Sequence, residues 1–117
     1  METTTVSANT LVIRKNEGSA EHIKLDYVAV KNAAMTLRAI NHKLRQQIVK
    51  LIDENKRLTV TEIYIRLRLE QSVASQHLAI LRRAGIVKTE RDGKFIYYSV
   101  STDRVSHIMT CVEDLNA

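Results

Sequence analysis

Apolar residues recur every three or four positions along most of the chain, and over one late stretch they alternate instead, so the pattern predicts several helices and one hairpin. Between Ile23 and Ile40, the residues Tyr27, Val30, Ala34, Leu37 and Ile40 lie on one helical stripe and predict a first helix. Asn41 is an N-cap type. After it Leu44, Ile48, Leu51 and Ile52 form the apolar face of a second helix ending near Asn55, with Lys43, Arg45, Gln46 and Lys50 on its wet side. Thr59 or Thr61 can cap a short third helix to about Arg68, whose first turn holds Glu62 where the helix dipole favours negative charge. Leu69 to Gln71 make a turn, and Ser72 opens a fourth helix with Val73, Leu78 and Leu81 inward and Ser75, Gln76, Ala79, Arg82 and Arg83 outward. Gly85 ends it, as a left-handed position after a helix prefers.

The period then changes. Ile86 to Arg91 and Phe95 to Val100 read as two strands around Asp92-Gly93, a pair that tolerates the positive φ angles of a tight hairpin. Ser101 or Thr102 caps a last helix with an almost continuous stripe of Val105, Ile108, Met109, Val112 and Leu115, which calls for a partner surface. Before the first helix, residues 1–21 are rich in threonine, serine and charge, with Leu11, Val12 and Ile13 as the apolar cluster. They read as a flexible arm ahead of one domain over residues 22–117, although the three apolar residues suit a short strand or a docking segment.

Composition narrows the function. Eighteen basic residues against 13 acidic ones give a net charge of +5, which suits a polyanionic partner but is not specific to one. The single cysteine, Cys111, excludes an intrachain disulfide framework. No apolar run approaches the roughly 20 residues that span a bilayer, and the first ten residues lack the basic start and apolar stretch of a leader, so a cytoplasmic protein without a membrane partner is expected. Three glycines, with no glycine-rich phosphate loop and no nucleophile motif, speak against an enzyme.

A short helix, a turn, a second helix that starts with small polar residues and then a basic hairpin form an arrangement suited to reading a DNA duplex. The major groove, about 12 Å wide, admits the start of such a helix only if its side chains are slim and polar. Ser72, Ser75 and Gln76 meet that requirement, with Gln76 as the base reader because its amide can pair bidentately with adenine. Arg82 and Arg83 can meet the flanking backbone, and Arg91 and Lys94 straddle the hairpin tip, where a minor-groove or phosphate contact is expected. Ser72 also suits the role of N-cap, and a charged hairpin also suits that of a soluble edge.

The segment SVASQHLAILRRAGIV from Ser72 to Val87 resembles the recognition segment of ArsR/SmtB-type repressors, which commonly show a serine pair followed by His-Leu, Leu-Arg and Ala-Gly-Leu/Ile-Val. KTERDGKFIYYSV from Lys88 to Val100 is similar to the wing of that family, and NHKLRQQIVKLI to its preceding helix, so the resemblance covers roughly Leu37 to Leu115. It implies a winged helix-turn-helix, mainly α with about five helices and two antiparallel strands. It also implies a homodimer joined by the first and last helices, here through Tyr27, Val30, Val105, Ile108, Met109 and Val112, that reads a palindromic operator as a repressor. Two-fold related readers then sit about 34 Å apart. His77 is expected between the helices, away from DNA. The rival reading is a winged helix used for protein interaction or dimerisation without DNA.

Many members of this family sense metals, but Val60 to Leu67 carries neither cysteine nor histidine, so the sensor site of the third helix is missing. The pattern on the last helix fails as well, because Val105 stands two residues after Asp103 where a histidine is needed. Asp103, His107, Cys111 and Asp114 do fall along one side of that helix, a spacing that arises often by coincidence, so neither metal nor cofactor is expected. Cys111 is expected to be a buried small apolar residue. An effector is left open.

Overall fold

A computed structural model of the chain describes residues 3–7, 9–18 and 20–117. The polypeptide forms two compact units, one up to Thr36 and one from Leu37 to Ala117, and the helix α1 (Tyr27–Ile40) contributes residues to each. In the first unit β1 (Thr3–Ser7), β2 (Thr10–Arg14) and β3 (His22–Asp26) make an antiparallel meander with β2 in the middle. The stretch read as a loose arm therefore carries strands, and the first helix starts at Tyr27 instead of near Ile23. The reason is local. Ile23 and Leu25 alternate with His22, Lys24 and Asp26, a two-residue period, and Leu11 to Ile13 supply a β-rich strand opposite them. Asp26 makes the change to helix, because its carboxylate accepts from the amides of Val28 at 3.0 Å and Ala29 at 3.1 Å.

In the second unit the end of α1 is followed by α2 (Lys43–Asn55), β4 (Leu58–Thr59), α3 (Val60–Arg66), α4 (Gln71–Arg83), β5 (Val87–Asp92), β6 (Phe95–Val100) and α5 (Thr102–Asn116). Five helices and an antiparallel hairpin are the expected winged helix-turn-helix. The sheet order is β4-β6-β5, so a third short strand joins the hairpin, with Leu58 opposite Tyr98 and Thr59 opposite Tyr97. Two residues are too few for a periodicity to reveal. The core is apolar and closed: Ile48, Ile52, Ile63, Leu78, Leu81 and Ile86 are wholly buried, and the partly buried Val105 and Val112 pack against it.

The helix ends explain why the chain turns where it does. α2 is capped by His42 in place of the expected Asn41, its ring Nδ1 accepting the Arg45 amide at 3.4 Å. Thr59 caps α3 in a reciprocal box, and the Thr59 amide, donating to Glu62 at 3.0 Å, holds that carboxyl below its ordinary range. Between α3 and α4 the chain passes through Arg68 at a φ of 55°. After α4, Gly85 takes a φ of +77°. Its amide bonds to the Arg82 carbonyl and the Ile86 amide to that of Leu81, the paired bonds of a Schellman motif sealed by two fully buried side chains, Leu81 and Ile86.

Candidate nucleic-acid interface

The second unit turns Ala74, Leu78 and Leu81 of α4 into its core and leaves Ser72, Ser75, Gln76, Ala79, Arg82 and Arg83 exposed along the opposite edge. A helix of 13 residues is about 20 Å long, so this edge can cross a duplex groove. α4 begins at Gln71, with Glu70 in the cap position and no side-chain cap bond. Ser72 is therefore not the cap, and it stands within the first turn beside the unpaired amides of the helix start, the positive end of its dipole. Val73, expected inward, is only half-buried, and Ala74 takes the deep position.

The hairpin stands beside this edge. Its turn residues are Gly93 and Lys94, not Asp92 and Gly93: Asp92 still pairs with Phe95, and the positive φ falls on Gly93 alone, the pattern of a type II′ turn. Arg91 and Lys94 are exposed at the tip, and the Arg91 Nε donates to the Gly93 carbonyl at 3.1 Å. Tyr98, further along β6, lines a hollow of about 450 Å³ together with Ser75, Ala79, Arg82 and Arg83. Among the described residues neither arginine has a carboxylate partner. Helix and hairpin thus frame a concave, cationic, hydroxyl-bearing surface whose chemistry suits a phosphate oxygen. Sequence reading named four of these groups and missed Tyr98, although the strand period that places Ile96, Tyr98 and Val100 on one face was available.

What holds α4 in place is a buried cation. Arg45, assigned to the wet side of α2 by its position in the pattern, is only 7 % exposed. Its Nε donates to the Ala39 carbonyl at 2.6 Å, its Nη2 to the Arg38 carbonyl at 3.1 Å, and its Nη1 lies 3.2 Å from His77 Nδ1. The Gln46 amide donates to the Ile40 carbonyl at 2.8 Å, and the Asn41 amide to that of Leu37 at 2.9 Å. All four carbonyls that the end of α1 would leave unpaired are thereby satisfied. His77 lies between the helices, as expected, with its ring centre 5.0 Å from that of His42. Burial first, then the neighbouring His42 and Arg45, push its pKa below the ordinary histidine value.

The apolar residues expected at a dimer contact are spread differently. Tyr27, Val30 and Met109 are about half-exposed, Val105 and Val112 are half-buried against their own core, and Ile108 is 7 % exposed within it. Cys111 is exposed, contrary to the expected burial, with Sγ 3.9 Å from His107 Nε2. Asp103 and Asp114 are exposed too, and no three histidine, cysteine or acidic side chains gather into a metal-holding group among the described residues. Nor is any helix of these residues long and apolar enough to cross a membrane.

A helix-turn-helix backed by a closed core and flanked by a basic hairpin defines a winged-helix transcriptional regulator. Comparison with known proteins gives the family. The model of the bacterial regulatory protein arsR family matches residues 42–89. An HTH-type transcriptional regulator of Methanocaldococcus jannaschii is 36% identical over 73% of this chain and 96% of its own length. The transcriptional repressor PagR of Bacillus anthracis is 36% identical over 74% of this chain and 86% of its own length, and its crystal structure superposes with a TM-score of 0.59 over 99% of that chain. The transcriptional activator HlyU of Vibrio cholerae is 36% identical over 71% of this chain and 76% of its own length. The chain belongs to the arsR family of bacterial regulatory proteins.

Proposed function

We propose that the protein is a dimeric repressor that places two copies of α4 in successive major grooves of a palindromic operator, with a wing gripping the backbone beside each. The observation that carries this reading is the exposed edge of α4, where slim polar Ser72, Ser75 and Gln76 lead into Arg82 and Arg83, two guanidiniums without an acidic partner among the described residues. Protein recognition would favour apolar anchors on that edge; polar and basic groups favour DNA. In this reading Gln76 meets a base edge, while Ser72, Ser75, Arg82, Arg83, Arg91, Lys94 and Tyr98 meet phosphates. Dimerisation is supported by the apolar residues that the isolated chain leaves in water, Tyr27, Val28, Val30 and Met35 on α1 and Met109 and Leu115 on α5. The core position of Ile108 gives it the task of backing such a contact. The relatives include an activator, HlyU, beside repressors such as PagR, and repression is the reading proposed for this chain.

Titration of specific and random duplexes with two variants tests this. Gln76→Ala is expected to lose about 1–3 kcal/mol of discrimination, whereas Lys94→Ala weakens both duplexes alike and lowers the salt slope by about one unit. Equal loss on both duplexes for Gln76→Ala removes it as the base reader.

A further inference from the structure

We infer that Phe95 is an apolar wedge with which the wing presses on a minor-groove base step, so that the protein selects its site partly by how easily the flanking DNA deforms. The inference rests on the DNA-binding reading above and adds a residue and a mode of recognition to it.

Phe95, the one phenylalanine of the chain, is the first residue after the Gly93-Lys94 turn and is 49% exposed. A large ring left in water at the far end of a hairpin contributes little to folding. It nevertheless has a neighbour on its own strand. Its ring centre lies 6.2 Å from that of Tyr97 at an interplanar angle of 56°. The Arg57 guanidinium sits 4.0 Å over the Tyr97 ring, and the same guanidinium is bonded to Asp92 at 3.2 Å. One arginine from the loop after α2 thus braces both strands of the tip, and the Phe95 ring stands on that brace. Restricting the ring before contact lowers the entropy lost on binding.

The surroundings select the partner. The Lys94 ammonium lies 5.3 Å from the Phe95 ring, and Arg91, two residues before Gly93, is pinned against the turn by its bond to the Gly93 carbonyl. Asp92 is neutralised by Arg57, and Glu90, the other acid of the hairpin, pairs with Tyr97 further from the tip. An exposed ring with one cation against it, on a tip that carries a second in Arg91, matches a groove of negative potential, where cationic side chains anchor and an apolar side chain partly unstacks a base step. Pyrimidine–purine steps yield most readily, so they are the steps such a wedge would favour.

The test uses duplexes enriched from a random library by the wild-type protein. Phe95→Ala is expected to keep the half-site bases, to lose enrichment for flexible steps at the flanks, to bind the enriched duplex about tenfold more weakly, and to lower the bend reported by energy transfer between dyes at the duplex ends. Phe95→Leu, which keeps an apolar wedge, should retain most of the bend. Unchanged flank preference and unchanged bend in Phe95→Ala, with wild-type DNA binding intact, would overturn the wedge while leaving the DNA reading standing. The same holds if Phe95→Ala abolishes binding of a second protein and leaves DNA binding alone, which would assign the ring to a protein contact. Because the ring is half-exposed at a tip, the variant should unfold at the same urea concentration as wild type, which separates a DNA effect from a folding effect.

Discussion

Replacing Arg45 by methionine removes a buried charge that ties three helices together. The side chain donates two charge-assisted bonds to carbonyls of Arg38 and Ala39 at the end of α1, and a third contact reaches His77 on α4. Each charged hydrogen bond is worth about 1.5–3 kcal/mol net, and a buried carbonyl left without a donor costs its desolvation. Methionine matches the stem and recovers some apolar packing, so the expected loss is about 3–5 kcal/mol, a large part of a domain's total stability. Urea unfolding at fixed protein concentration reads this as a lower midpoint with an unchanged slope. Arg45→Lys should fall between the two, because one ammonium cannot reproduce the planar fork that meets both carbonyls and the ring. In Arg45→Met the His77 pKa should also rise towards the ordinary value, as one of its neighbouring cations is gone, without reaching it, since burial remains the largest cause. A loss below about 1 kcal/mol would refute the claim that Arg45 organises this junction.

Two further perturbations probe the same frame. His77 has a folded pKa below its unfolded value of 6.5, so the unfolded chain takes up a proton first as pH falls. Stability should therefore decline as pH drops below about 6.5, by at most about 1.4 kcal/mol per pH unit for this group, until the folded pKa is reached; a His77→Gln variant with the same pH profile would assign the effect elsewhere. Gly85→Ala places a Cβ at a φ of +77° and 3.3 Å from Arg104 Nε, the group that donates to the Ala84 carbonyl at 3.1 Å, so calorimetry should show a loss of about 1–2 kcal/mol.

Much of the fold was legible because core helices and hairpins announce themselves by period. The stripes of α2 and α4, the capping Thr59, Gly85 and the two hairpin strands all lie close to where the pattern puts them. What the pattern hides is any polar residue with an inward task. Arg45 occupies a position that a pattern assigns to solvent, and only the count of orphan carbonyls at the end of α1 explains why it turns inward. His42 displaces Asn41 as cap for a related reason, since its ring serves the α2 amide and packs on His77 at once. Ile23 and Leu25 fit a helical stripe loosely and a strand well, and the longer stripe after them masked the change. The exposed edge of α4 was legible by residue type, whereas the hollow that adds Tyr98 to it depends on how the hairpin sits against the helix. Pairing across the turn, not composition, separates Asp92 from the turn residues.

Selection of bound fragments from random duplex DNA by the full chain addresses the recognition surface directly. The account predicts two inverted half-sites with centres one helical turn apart, about 10 base pairs, and enrichment that collapses when Gln76 and Arg83 are both replaced by alanine. Fragments with no shared sequence, or a single asymmetric site bound equally well by that double variant, would contradict it.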